Sequence, residues 1–208
     1  MSFLGEKELK EQIKSIIPQY TPKFIDSNKY ELCLGASYCA SDSKFRVLQA
    51  ENKQIVVNPG EFYFLETYET VEMPDDIMGF ISIKASIKFK GLVNISGFHV
   101  DPHFKGKIVF SVLNAGPSPI NLTIEEPLFQ IWFAKLTSAS ESYNGKHQGQ
   151  TGVTGKLLND HMSGSDNASL GDLQRQIKDL DNKYEIIKAL ATLIVAAIVA
   201  IMFKVYFN

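Results

Sequence analysis

Asp101 follows Val100, precedes Pro102 and stands five residues before Gly106. A carboxylate so placed lies on a turn between two strands and faces outward, where it can orient a water or accept a proton. Asp before Pro is equally a plain turn former. Further along, Tyr143 to Thr154 reads YNGKHQGQTGVT and sets Lys146, Gln148, Gln150 and Thr154 among three glycines. Backbone amides, side-chain amides and a lysine on a flexible arm are the groups that close over a phosphate. The same composition also suits a solvated linker. His99 and His103 flank Asp101 two residues to either side, a spacing that strand alternation would gather on one face for a metal. Pro102 interrupts the strand between them, so solvated or hydrogen-bonded loop histidines are expected instead. Cys33 and Cys39 are the two cysteines and have no third or fourth partner at zinc-ligand spacing. The H-x-E and P-C-x-x-C pattern of zinc deaminases is missing as well, so zinc-hydroxide chemistry is not expected. Two thiols in a reducing compartment is the expectation.

The elements that must position these residues are mostly strands. Short runs rich in Ile, Val, Phe and Tyr recur from Lys23 to Leu136: YELCLG, FRVLQ, QIVVNPGEFYFLET, GFISIKASI, GLVNI, GKIVFSVLNAG, INLTI and LFQIWFAKL. Turn pairs at Pro59-Gly60, Pro74-Asp75, Asp101-Pro102 and Gly116-Pro117 separate them. No helix of crossover length intervenes, so the pattern predicts an all-β sandwich or barrel and excludes a parallel dinucleotide-binding sheet. Before the strands, Leu4, Leu9, Ile13, Ile16 and Ile17 share one face of a short amphipathic helix that Pro18 ends. The chain of 208 residues carries 21 basic and 23 acidic side chains, a formal charge of −2. No positive field advertises a nucleic-acid partner. A hydrophobic fraction of 45% excludes disordered and collagen-like classes, and the N-terminus has no apolar core of a signal peptide.

The C-terminal text differs. Ser138 to Ser169 is polar and glycine-rich, an arm leading into a linker. Leu173, Ile177, Leu180, Tyr184 and Ile187 then follow at spacings of 4, 3, 4 and 3. Ile177 and Tyr184 take the a positions of a heptad, and Leu173, Leu180 and Ile187 the d positions. A solvated amphipathic helix would read similarly over so short a run. Ala189 to Phe203 is uncharged and bracketed by Lys188 and Lys204. That core of about 15 residues spans about 22 Å as a helix. Ile186, Ile187 and Val205 to Phe207 lengthen it, the lysines can snorkel, and Tyr206 and Phe207 suit an interfacial belt. The reading is a single C-terminal membrane anchor holding a cytoplasmic β domain. The predicted divisions are a β body over 1–155, a linker over 156–169, a coiled-coil-like helix over 170–188 and a membrane helix over 189–207.

Taken in order, the motifs of the body resemble the family of dCTP deaminases and trimeric dUTPases, from about Leu4 to Thr154. YELCLG, Tyr30 to Gly35, is similar to the family's I-D-L-R-L-G strand. Ile83 to Leu92 stands where the family has A-R-S-S-L-A-R-L-G-L. HVDPHFKGKI resembles R-I-D-P-G-W-x-G-x-I, Gln130 lies where the family has I-G-Q-L, and KHQGQTGVT is close to the K-Y-Q-x-Q-x-G-x-T arm of the deaminase branch. The resemblance implies a mainly β, distorted jelly-roll-like fold, a homotrimer with sites between subunits, and a pyrimidine deoxynucleoside triphosphate bound with Mg²⁺ on its phosphates. It implies Asp101 as the catalytic residue, and Lys84, Ser86, Gln130, Tyr143, Lys146, Gln148, Gln150 and Thr154 as substrate-binding residues. In dUTPases the matching Asp orients a water toward the α-phosphate. The deaminases use a Glu about ten residues beyond it as general base and acid, and that position is Ser111 here. A hydroxyl cannot shuttle a proton near neutral pH as a carboxylate can. Lys84 and Ala85 also replace an Arg and a Ser, and Phe89 a second Arg. Hydrolysis of dUTP to dUMP and pyrophosphate is therefore the expectation, not cytosine deamination. An inactive trimeric nucleotide sensor or membrane-tethered scaffold is the alternative.

Overall fold

The computed structural model describes residues 2–40, 48–49, 52–157 and 170–207. The chain divides into two compact units, Met1–Asn167 and Ala168–Asn208. The first is mainly β. Its strands are β1 (Ser2–Phe3), β2 (Ile25–Asp26), β3 (Lys29–Ala40), β4 (Leu48–Gln49), β5 (Gln54–Val57), β6 (Phe62–Glu72), β7 (Ile77–Ile83), β8 (Leu92–Asn94), β9 (His99–Val100), β10 (Lys105–Asn114), β11 (Ile120–Thr123) and β12 (Pro127–Lys135). A curled ten-stranded sheet runs in the order β8-β10-β6-β3-β12-β7-β9, with β1 on β12 and β2 and β4 on β3. β5 and β11 form a second, two-stranded sheet. All ladders are antiparallel.

Alternation explains most of this. In β10, Gly106, Ile108, Phe110, Val112 and Asn114 are buried, while Val109 and Ser111 face the other way. Phe110 stacks on Phe129 of β12, ring centroids 3.8 Å apart at 7°, joining two strands that are not neighbours in the sheet through the core. β6 departs from the pattern. Leu65, Glu66 and Thr67 are buried in succession, where its registers with β3 and β10 shift. Such a shift lets neighbouring residues turn to the same side.

Helix α1 (Glu6–Ile16) buries Leu9, Ile13 and Ile16 against the sheet, each worth about 2 kcal/mol of apolar burial. Leu4 is buried too, but ahead of the helix, where its amide donates to the Phe133 carbonyl. Two expected strands differ. QIVVNPGEFYFLET breaks into β5 and β6 at the Asn58–Glu61 turn, since Pro59 has no N–H for a ladder. GFISIKASI ends as a strand at Ile83, and Ala85–Lys88 winds into the short helix α2, whose Lys88 amide donates to the Lys84 carbonyl at 3.0 Å. Of FRVLQ only Leu48–Gln49 is described, and of the expected 156–169 linker only its first two residues.

The second unit is one helix, α3 (Leu170–Tyr206), 37 residues without a break. Its segment Leu173–Tyr206 is long and apolar enough to cross a membrane, with a mean hydropathy of 2.6 over its most apolar window.

Candidate functional site

A cavity of about 590 Å³ opens beside the turn joining β9 to β10, a size that suits a small-molecule ligand. The turn is Asp101-Pro102-His103-Phe104, closed by the Phe104 amide on the Asp101 carbonyl at 3.2 Å. Proline in second place and a positive φ of 62° at His103 follow the type II pattern. His103 tolerates that conformation because its ends are held: its Nε2 lies 3.1 Å from the Ser140 carbonyl, and its own carbonyl accepts from Gln148 Nε2 at 2.9 Å. Asp101 is thereby fixed at the cavity wall. His99 Nε2 comes within 3.5 Å of Asp101 Oδ1. His99 thus reaches Asp101 from the strand before it, while His103, beyond Pro102, turns away to the arm. Among the described residues no three His, Cys, Asp or Glu side chains converge on a metal-sized site.

The arm is stitched to β10. The Lys107 amide donates to the Gln150 carbonyl at 2.8 Å, and the Gly149 amide to the Lys105 carbonyl at 2.8 Å. Gln148 Oε1 accepts the Lys105 amide at 2.8 Å, and Gln150 Nε2 donates to the Lys107 carbonyl at 3.1 Å. Gly106, at φ +151°, makes this approach possible, since a Cβ there would sit 2.6 Å from the Gln150 carbonyl oxygen. Further on, the Val153 amide donates to Glu66 Oε2 at 2.8 Å, while Lys107 Nζ holds Glu66 Oε1 at 2.9 Å. Glu66 is 4% exposed. The arm is therefore ordered structure from Tyr143 to Thr154, fastened to its own chain.

Three residues expected from the sequence meet in the cavity: Asp101, Tyr143 and Gln150. Tyr143 packs edge-on against Phe104, centroids 6.3 Å apart. Burial pushes its phenol above the ordinary range, the negative charge of Asp101 adds to that, and a hydrogen bond with the His147 backbone pulls it back. Ser111 lies on the same wall, across the ladder from Phe64 of β6. Among the described lining residues Asp101 is the sole carboxylate. Phe62, Phe64 and His147 also line the cavity and were missed by sequence reasoning. Only their place on an outward strand face or in the arm could have pointed to them.

The other expected residues lie elsewhere. Gln148 anchors the arm, Lys146 is exposed, and Thr154 Oγ1 accepts the Leu157 amide at 3.3 Å. Lys84 and Gln130 gather instead around Glu31 of β3. Lys84 Nζ is 2.7 Å from the carboxylate, and Gln130 Nε2 donates to Glu31 Oε1 at 3.4 Å. Ser86 is exposed on α2. Lys84, Ser86 and Gln130 are not among the residues lining the Asp101 cavity.

A family model described as dCTP deaminase-like matches residues 3–136. The chain belongs to that family. A dCTP deaminase of Pyrobaculum aerophilum is 34% identical over 170 residues, covering 73% of this chain and 94% of its own. A dUMP-forming dCTP deaminase of Methanosphaera stadtmanae is 35% identical over 109 residues, covering 49% of this chain. The chain spans about half of that enzyme's length, 55%. The crystal structure of 2'-deoxycytidine 5'-triphosphate deaminase from Agrobacterium tumefaciens superposes with a TM-score of 0.54 at 13% identity, over 64% of this chain and 47% of that one. It shares the fold.

Proposed function

We propose that the Asp101 cavity binds a pyrimidine deoxynucleoside triphosphate and hydrolyses dUTP to dUMP and pyrophosphate, on a β body held at a membrane by α3. The observation that carries this is the convergence of Asp101, Tyr143 and Gln150 on one cavity, with Ser111 on the same wall. Asp101 accepts a proton from a water that attacks the α-phosphorus; the bond from that phosphorus to its bridging oxygen breaks, and pyrophosphate leaves. Deamination at C4 of cytosine is not proposed, because Ser111 offers no carboxylate for the proton transfers. Mg²⁺, where bound, would neutralise the phosphates. Among the described lining residues Asp101 is the sole carboxylate, so a hard cation there would be held by substrate phosphates and waters and not by a protein cage, as Mg²⁺ prefers. Lys84, Ser86 and Gln130 lie outside the Asp101 cavity, and in a homotrimer they would meet the phosphates at a neighbouring copy's site.

One observation favours a second reading, a nucleotide sensor or scaffold without turnover. The Lys84 ammonium already holds the Glu31 carboxylate, so its charge is partly spent within the chain. Incubating the full chain in detergent with dUTP or dCTP and Mg²⁺, and separating products by chromatography, distinguishes the two. The expected product is dUMP from dUTP, lost in Asp101→Asn. Thermal stabilisation by a nucleotide without product supports the sensor, and no response to any nucleotide sinks both nucleotide readings and leaves the scaffold.

A further inference from the structure

α3 runs unbroken from charged into apolar text, so one helical phase describes both. The seam Leu173, Ile177, Leu180, Tyr184, Ile187 continues at the same spacing through Ala191, Ile194, Ile198, Ile201 and Val205. Where every position is apolar, hydrophobicity cannot define a face, but residue shape can. The three isoleucines between Ala189 and Phe203 all fall on a or d: Ile194, Ile198 and Ile201. Phe203, Tyr206 and Phe207 fall on the outer f, b and c positions, where an aromatic belt meets lipid headgroups. Stiff β-branched side chains lose little rotamer freedom when packed, and isoleucine at both a and d favours three strands over two. The seam is exposed along its length in the single chain, Ile198 at 52% and Val205 at 76%.

We infer that α3 associates with copies of itself in parallel along this seam, from Leu173 to Val205, through the lipid as well as above it. The inference rests on the membrane-spanning reading above. Its occupant is the same helix of another copy, because a heptad face is filled by another heptad face, and every copy brings one. Parallel packing follows from insertion, since an antiparallel pair would put the two β bodies on opposite sides of the bilayer. It sets Lys183 at g near Lys188 at e of the next copy. Each of these lysines is already drawn to an acid of its own helix, Lys183 to Asp179 at 2.7 Å and Lys188 to Glu185 at 3.4 Å, which offsets the repulsion. A competing surface, the small residues Thr192, Ala196 and Ala200, lies on b, f and c.

Full-length protein in phosphatidylcholine vesicles, carrying single substitutions to cysteine and oxidised with copper phenanthroline, tests this. Cys33 and Cys39 are buried in the β body, and the unsubstituted chain sets the background. Ile194→Cys, Ile198→Cys and Ile201→Cys are expected to give covalent dimers on non-reducing gels at about five-fold or more the yield of Ala196→Cys and Val199→Cys. A flat profile, or a peak at Thr192→Cys, Ala196→Cys and Ala200→Cys, overturns the inference while leaving the membrane reading intact. Density-gradient flotation of the same vesicles checks that reading separately. Protein left in the bottom fraction overturns the membrane span and this inference with it.

Discussion

Glu66 and Glu69 stand on the same strand, β6, both buried at 4% and 2% exposure, yet they live in opposite circumstances. Glu66 has a cation, Lys107 Nζ at 2.9 Å, and its other oxygen takes the Val153 amide of the arm. Among the described residues Glu69 has only neutral donors, including the Cys33 amide at 2.9 Å and the Tyr30 hydroxyl at 3.2 Å. Burial accordingly raises the Glu69 carboxyl above the ordinary range despite those donors, and raises the Cys33 thiol and Tyr30 phenol beside it. A buried carboxylate with a counter-charge can be used as a fastener; without one it becomes a group whose burial depends on pH.

Breaking the first should cost most. Glu66→Ala leaves the Lys107 ammonium and the Val153 amide without their partner, and is expected to destabilise the body by about 2–4 kcal/mol. Denaturant melts measure the loss. Hydrogen exchange should rise first at Gln150 to Val153; exchange that rises evenly over the whole body would show that Glu66 does not fasten the arm.

Glu69 sharpens the contrast through pH. Its native pKa lies above the unfolded reference of 4.5, so its contribution to stability is full below that value and is lost as pH rises through the native one. Each unit of elevation corresponds to about 1.4 kcal/mol. Glu69→Gln keeps a carbonyl for the Cys33 amide and cannot ionise. The melting temperature of the variant relative to the parent should therefore climb as pH rises above the unfolded reference. A difference that stays constant with pH would mean that Glu69 does not titrate in that range.

The smallest effect belongs to Glu31, whose pair with Lys84 is only partly buried, the side chains 15% and 27% exposed. Glu31→Gln should change stability by less than about 1 kcal/mol. Because it releases Lys84 and removes a negative charge, triphosphate affinity should rise about five-fold by calorimetry, the equivalent of about 1 kcal/mol. Unchanged affinity would remove Lys84 from the phosphate-binding set.

Local patterns made much of the body legible. The alternation of β10, the face of α1 and the turn carrying Asp101 all follow from neighbouring residues. The family resemblance groups Tyr143 and Gln150 with Asp101, and all three line one cavity. What stayed hidden depends on distant partners. Glu66 meets Lys107 across 41 positions, Glu69 meets Cys33 across 36, and Glu31 meets Lys84 across 53. Alternation also fails at Leu65 to Thr67, because the register shifts there move residues between faces. By period-2 logic one of Glu66 and Thr67 should be exposed, and neither is. The division of the expected site residues between the Asp101 cavity and the Glu31 cluster could not be read from motif order, which says nothing of distance.

The hydrogen bonds that fasten the arm are also those that set the Asp101 turn, since Gln148 Nε2 holds the His103 carbonyl and Ser140 meets the His103 ring. Arm closure and cavity shape are thus one equilibrium. A molecule that prefers the closed cavity must tighten the arm, and by thermodynamic reciprocity an arm that is cut or loosened must weaken that molecule's hold by the same factor.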